Sequence, residues 1–324
     1  MTLAEESQLK VVMEHVREAR RQIDRALPAG SVYPRHTEQG HFYGVPNGQV
    51  YPSVTGIISY VKDQSIQTYQ MNEALRYVEA NFHRLHKDGK FDIMEASTVV
   101  YEAKKAPTDA MNNAGDIGRK IHDRREQYFQ EWIDNDTLER PDIASYIKDD
   151  DDNRLKSAMR ALDKFCADTG YIPVRTEVLV YSDKYKLAGT LDDIGYIKTE
   201  KRPFSDACTH SLTYEGLVVR CFSCKGRTDW EFALSDLKSS NQFKDSYFYQ
   251  VALYFMMFKE NTNLKPERSF ILKVSKENGT YSLEELENMP SLVAGAKSII
   301  QAADAVEKVK LLRQKSTARP TITI

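Results

Sequence analysis

The sequence predicts an α/β (α+β) fold, a mixed β-sheet core flanked by helices with a helical N-terminal part. Three observations predict it. Up to Gly170 the apolar residues recur mainly at helical spacing. After Gly170 they fall in β-branched and aromatic runs that read as mainly antiparallel strands. Beyond Lys238 helical and strand patterns alternate.

In chain order, Leu9, Val12, Met13, Val16, Ile23 and Leu27 define a helix over residues 4–27, ended by Pro28 and Gly30. HFYGVPNGQVYPSVT (41–55) has β-rich runs on either side of Pro46-Asn47-Gly48, a turn signal. Pro52-Ser53 ends the second run, and Ser53 or Thr55 caps a helix entering Gly56-Ile57-Ile58. Residues 66–133 read as mostly helical, with breaks near Lys87-Asp88-Gly89 and at Pro107. Another helix, about 153–168, follows the acid run Asp149 to Asp152. RTEVLVYSD (175–183) and LAGTLDDIGYI (187–197) form a hairpin around Asp183-Lys184, and WEFALSDLK (230–238) is a third strand. A helix through Tyr249 to Phe258 follows, then the strand SFILKVS (269–275) closed by Asn278-Gly279, then a helix over about 291–313. The expected organisation is an N-terminal helix and linker (1–40), a core (41–275) carrying an insert at 198–229, and a C-terminal helix and tail (276–324).

Composition excludes several classes. A chain of 324 residues, 41% hydrophobic and 28% charged, is globular rather than disordered. No run approaches 18 apolar residues, so no membrane partner is expected, and MTLAEESQLK has no secretory pattern. Four cysteines form no disulfide framework and point to a reducing, cytoplasmic setting. The formal net charge of -2 argues against tight, non-specific coating of DNA. It leaves room for a local grip on one strand.

The chemistry gathers on two strands and two helices. Strand alternation puts Phe232, Leu234, Asp236 and Lys238 on one side, an apolar face ending in a carboxylate and an ammonium. A surface ion pair would account for that dipeptide alone. In the preceding strand Asp192 and Asp193 point to opposite faces, so one can meet Asp236 across the sheet, where facing carboxylates repel. A divalent cation removes the penalty; Asp192 is the expected ligand and Asp193 the solvated or structural acid. Gly118, His122 and Glu126 share a helical face, as do Gln250 and Tyr254.

The order Gly118-x-x-x-His122, Glu177, Gly189-Thr190-Leu191-Asp192, Asp236-Leu237-Lys238, Gln250-x-x-x-Tyr254 resembles the PD-(D/E)XK nuclease superfamily in its RecB-type exonuclease branch. Tyr51-Pro52-Ser53-Val54-Thr55 and Lys238-Ser239-Ser240 are similar to segments of phage exonucleases and the mitochondrial genome maintenance exonuclease, and the likeness spans about residues 41–258. It implies a restriction-endonuclease-like core and a nuclease that cuts DNA, with preference for single-stranded ends. It implies that His122, Asp192, Asp236 and the Leu237 carbonyl hold Mg²⁺ or Mn²⁺, that Lys238 orients the attacking water or offsets phosphate charge, and that Glu177 is a supporting acid. Gln250 and Tyr254 would brace the lysine strand and touch DNA, with Ser53, Thr55 and Ser240 near the strand. Arg119, Lys120, Arg124, Arg125 and Lys244 add local positive charge for phosphates. Replication or recombination proteins are the implied protein partners.

The chain departs from that pattern at the insert, where a tight hairpin is usual. Cys208-x-His210 and Cys221-x-x-Cys224 have the spacing of a structural Zn²⁺ knuckle. An iron–sulfur cluster that also uses Cys166, and unligated thiols in a packed flap, are the other readings. The competing functions are an endonuclease on flapped or branched DNA, a non-catalytic DNA-binding replisome protein and a zinc-stapled interaction module. The presence of both Asp236 and Lys238 favours an enzyme.

Overall fold

The computed structural model describes residues 3–37, 40–61, 65–87, 90–199, 211–214, 217–220, 230–240 and 243–317. Residues 62–123 make one compact unit and the rest of the chain another. The larger unit opens with α1 (Leu3–Ala26), which buries Val12, Val16 and Ile23 as its periodicity predicts. β1 (Tyr33–Thr37), β2 (Gly40–Gly44) and β3 (Val50–Pro52) form an antiparallel sheet, with the expected turn at Pro46-Asn47-Gly48. α2 (Val54–Ile58) follows, capped by Ser53, whose Oγ accepts from the Gly56 N–H at 3.0 Å.

The smaller unit holds α3 (Ser65–Ala80), the short strands β4 (His86–Lys87) and β5 (Lys90–Phe91), and the first part of α4 (Ile93–Asn135). Arg84 donates to Glu102 at 2.8 Å and to Glu95 at 3.1 Å, which ties the turn before β4 to α4. The expected break at Pro107 does not occur: α4 runs through it. A missing N–H forfeits one helical bond, and the turns on either side carry the helix across.

The larger unit resumes with α5 (Asn153–Thr169), β6 (Ile172–Ser182), β7 (Leu187–Lys198), β8 (Ser211–Tyr214), β9 (Leu217–Arg220), β10 (Trp230–Lys238), α6 (Asp245–Thr262), β11 (Arg268–Val274), β12 (Tyr281–Glu285) and α7 (Met289–Thr317). The main sheet has the order β12-β11-β10-β7-β6. β6, β7 and β10 alternate in direction, and β11 returns through α6 parallel to β10. It is the mixed, helix-flanked sheet that the sequence predicts. Edge strand β6 alternates between buried and half-buried positions, whereas β10 is buried at all but its two half-buried positions. Adjacent residues of β11 show the two layers: Phe270 meets Phe165 of α5 at 5.9 Å between ring centres, and Ile271 joins the core with α6.

β7 and β10 pair although the insert separates them, and Trp230 is the register partner of Lys198. β8 and β9 form a hairpin within that insert, while Cys208, His210, Cys221 and Cys224 lie outside the described residues. Cys166 is a buried thiol packed as an apolar residue.

Candidate functional site

The sheet register assembles the acids. Ser235 pairs with Asp193, so Asp236 and Asp192 fall on the next rung. Across the other edge of β7, Thr176 pairs with Asp193 and Val178 with Leu191, which places Glu177 opposite Asp192. Three neighbouring strands thus bring Glu177, Asp192 and Asp236 to one line. The ladder is distorted there. Glu177 has a φ of 49°, a left-handed conformation that costs a non-glycine residue about 1–3 kcal/mol. The Leu237 N–H donates to the Asp192 carboxylate at 2.7 Å. Glu177 and Asp192 offer carboxylate oxygens within 4.8 Å of each other.

Arg125 sits among these acids. It is 0% exposed and donates to Asp193 at 2.9 Å and to Glu177, with Asp192 at 3.5 Å. The expected DNA contact at Arg125 is therefore corrected: no part of its side chain reaches solvent, and its charge is spent on buried carboxylates. Asp193, 1% exposed, is likewise structural and not solvated. Burial opposes the charge on Arg125, but Asp193, Asp192, Glu177 and Asp236 outweigh it and hold the guanidinium above its usual range.

Lys238 lies 2.5 Å from Asp236 and over the Tyr247 ring at 5.1 Å. Burial works against its charge, yet Asp236 and Asp192 hold the ammonium above the ordinary lysine range. Lys238 thus stands beside Asp236 as a cation. Asp236 is 0% exposed, and among the described residues neither of its oxygens accepts a well-directed hydrogen bond.

The ion pairs set Glu177, Asp192, Asp193 and Asp236 against Arg125 and Lys238. The acids respond by holding protons. Burial pushes Asp236 up to about 6 against the pull of Lys238, and Asp193 up to about 7 and Glu177 up to about 8 against that of Arg125. A divalent ion with oxygen ligands fits this donor set: it offsets the clustered negative charge and gives a directed partner to Asp236 oxygens that accept no well-directed hydrogen bond. One consequence is measurable. These acids bind protons more tightly folded than unfolded, so the stability they contribute is full below about pH 4 and is lost as pH rises through about 6 to 8. The melting temperature in EDTA is expected to fall between pH 5 and pH 8, and added Mg²⁺ to restore more of it at pH 8 than at pH 5. A flat profile in EDTA would contradict the raised carboxyls.

The other expected site residues divide. His122 is half-buried on α4 in the smaller unit, three residues before Arg125. Arg119 is exposed and paired with Asp116. Tyr254 is 3% exposed and accepts from Gln250 Nε2 at 3.3 Å, so the expected contact between Tyr254 and DNA is corrected to a packing role. Its ring explains Gly189: a Cβ there would meet Tyr254 Cε1 at 2.8 Å and Val54 Cγ2 at 3.0 Å. Ser53 is buried and its hydroxyl is engaged as the α2 cap, which withdraws it from a strand; Thr55 is exposed. Ser240 and Lys244 are half-buried between β10 and α6.

Sequence reasoning missed two features. One is the internal role of Arg125, although Tyr128, Phe129 and Trp132, three, four and seven residues on, are buried and place it on an inward stripe. The other is Lys273, the register partner of Lys238 on β11.

The chain matches no protein-family model and no curated protein. Among solved structures it is similar to the alkaline exonuclease LHK-Exo from Laribacter hongkongensis, at 13% identity over 48% of this chain and 69% of that one, with a TM-score of 0.28. It is also similar to the protein SSO0001, at 12% identity over 57% of this chain and 72% of that one, with a TM-score of 0.22. Likenesses this low assign neither a family nor an activity.

Proposed function

We propose that the chain is a metal-dependent deoxyribonuclease of the PD-(D/E)XK type, an exonuclease acting on single-stranded ends in replication, recombination or DNA degradation. One observation carries this reading: Glu177, Asp192 and Asp236 meet on one line across three strands beside Lys238, with an excess of negative charge that a divalent ion would satisfy. Asp192, Asp236 and the Leu237 carbonyl would hold Mg²⁺ or Mn²⁺. Glu177 adds a carboxylate to that donor set. The chemistry that a bound ion supplies is positive charge for a phosphate oxygen and a lowered pKa for a water.

The chain's own groups do the rest. Lys238, held protonated by Asp236, presents an ammonium to the charge that builds on phosphorus during in-line attack. Arg125 fixes Glu177 and Asp193 from inside. Tyr254, packed on Gly189, seats α6 against the strand that carries Asp192. Ser240, Lys244, Gln250, Thr55 and Arg119 remain candidates for contact with the DNA backbone. Among the described residues no helix is long and apolar enough to cross a membrane.

Digestion of end-labelled linear single strands, duplexes and single-stranded circles tests the reading. With Mg²⁺ the linear strands should shorten from an end, the circles should stay intact, and EDTA should stop the reaction. Cut circles would favour the endonuclease reading. No cleavage of any substrate would sink the assignment.

A further inference from the structure

We propose that a groove at the ends of β10, β11 and β12 binds a backbone phosphate of the nucleic-acid strand next to the one being cut. The proposal rests on the nuclease reading above and gives the substrate a second anchoring point. Lys238 on β10 is the register partner of Lys273 on β11, and Lys273 is the partner of Ser282 on β12. The three residues therefore form a row two residues along the strands from the rung of Asp236, Ile271 and Glu284, with neighbouring strands about 4.8 Å apart.

Lys238 is offset by Asp236 at 2.5 Å. Lys273 lies over the Phe243 ring at 4.6 Å and lines a groove of about 350 Å³ with Ser240, Ser275, Glu277, Thr280 and Ser282. Ser282 Oγ is buried and has no hydrogen-bond partner among the described residues. Ser275 Oγ already accepts from the Glu277 and Asn278 N–H groups at 3.2 and 3.3 Å, so its own hydrogen is left to donate.

An ammonium with several hydroxyl donors is the chemistry that a phosphodiester oxygen accepts from. Glu277, the carboxylate of the lining, is exposed at the rim. Among the described residues that line the groove, a lysine with a single carboxylate at the rim suits a singly charged phosphodiester better than a free polyanion.

The test is fluorescence anisotropy of a labelled single-stranded oligonucleotide over a salt series, on the full chain, with Ca²⁺ in place of Mg²⁺. Lys273→Gln is expected to weaken binding about tenfold and to lower the slope of log K against log salt by about 1. Ser282→Ala, which leaves the charge in place, should weaken binding about threefold with the slope unchanged, and Lys273→Arg should keep the slope. Melting curves of all three should match the wild type. Wild-type binding with no change in affinity or slope in Lys273→Gln and Ser282→Ala would overturn the groove and leave the nuclease reading standing. Absence of wild-type binding would overturn the nuclease reading and the groove with it.

Discussion

Asp236→Asn is expected to reduce Mg²⁺-dependent DNA cleavage by about 10³-fold or more, and Lys238→Ala by about 10²- to 10³-fold, the scale of removing one preorganised charged group from a reacting centre. The two effects differ in origin. Asp236 is buried without a well-directed hydrogen bond, so asparagine fits its space but offers an ion a neutral oxygen. Calorimetry should therefore show loss of Mg²⁺ binding in Asp236→Asn and its retention in Lys238→Ala. The latter relieves Asp236 of a competing cation and leaves the phosphate without a charged donor. Both variants should fold, because the sheet around them is built from Leu234, Leu237 and Ile271. Cleavage within a few-fold of wild type in either variant would contradict the proposed roles.

Arg125→Met should destabilise the protein by about 3–5 kcal/mol, the cost of leaving buried charges without their partner. For a domain of this size each kcal/mol shifts the melting temperature by roughly 2–4 °C, so a fall of about 10 °C is expected. Arg125→Lys should recover part of this, since one ammonium cannot serve Glu177 and Asp193 as the guanidinium fork does. Removing one of the unpaired acids as well, in Arg125→Met/Asp193→Asn, should also recover part of the loss. Thermal denaturation in EDTA checks all three. A melting temperature for Arg125→Met within about 2 °C of wild type would mean that the guanidinium is not holding the acids together.

Much of the fold is legible in the sequence wherever burial is one-sided. α1 shows its inward stripe, and β6 shows its alternation. β10 is buried on both faces and declares itself by aromatic and charged residues at its two ends. β1 is exposed at every position, so no apolar rhythm marks it. The break expected at Pro107 weighs a local cost that the long helix absorbs. At the site, Asp192, Asp236 and Lys238 are legible because strand alternation and register are simple counts. The conformation of Glu177 is not, because φ of 49° at a glutamate is imposed by tertiary contacts that leave no local trace. Arg125 is misread because its neighbours Arg119, Lys120 and Arg124 suggest a surface face. A side chain is placed by the helical stripe it occupies and not by the residues beside it.

The junction between β7 and β10 has a consequence for how this chain can change over time. Residues 199–229 leave and re-enter the sheet at register partners, Lys198 and Trp230. That doorway is latched by the Lys198 ammonium over the indole ring at 5.5 Å and by the indole N–H donated to the Gly170 carbonyl at 3.3 Å. Closing a loop costs only about 0.6 kcal/mol more for each doubling of its length. The sheet therefore sets where a passenger segment begins and ends while placing almost no constraint on its size. A lineage can enlarge, trim or exchange that module without disturbing the acids a few residues away, and a protein engineer can splice a peptide into the same socket.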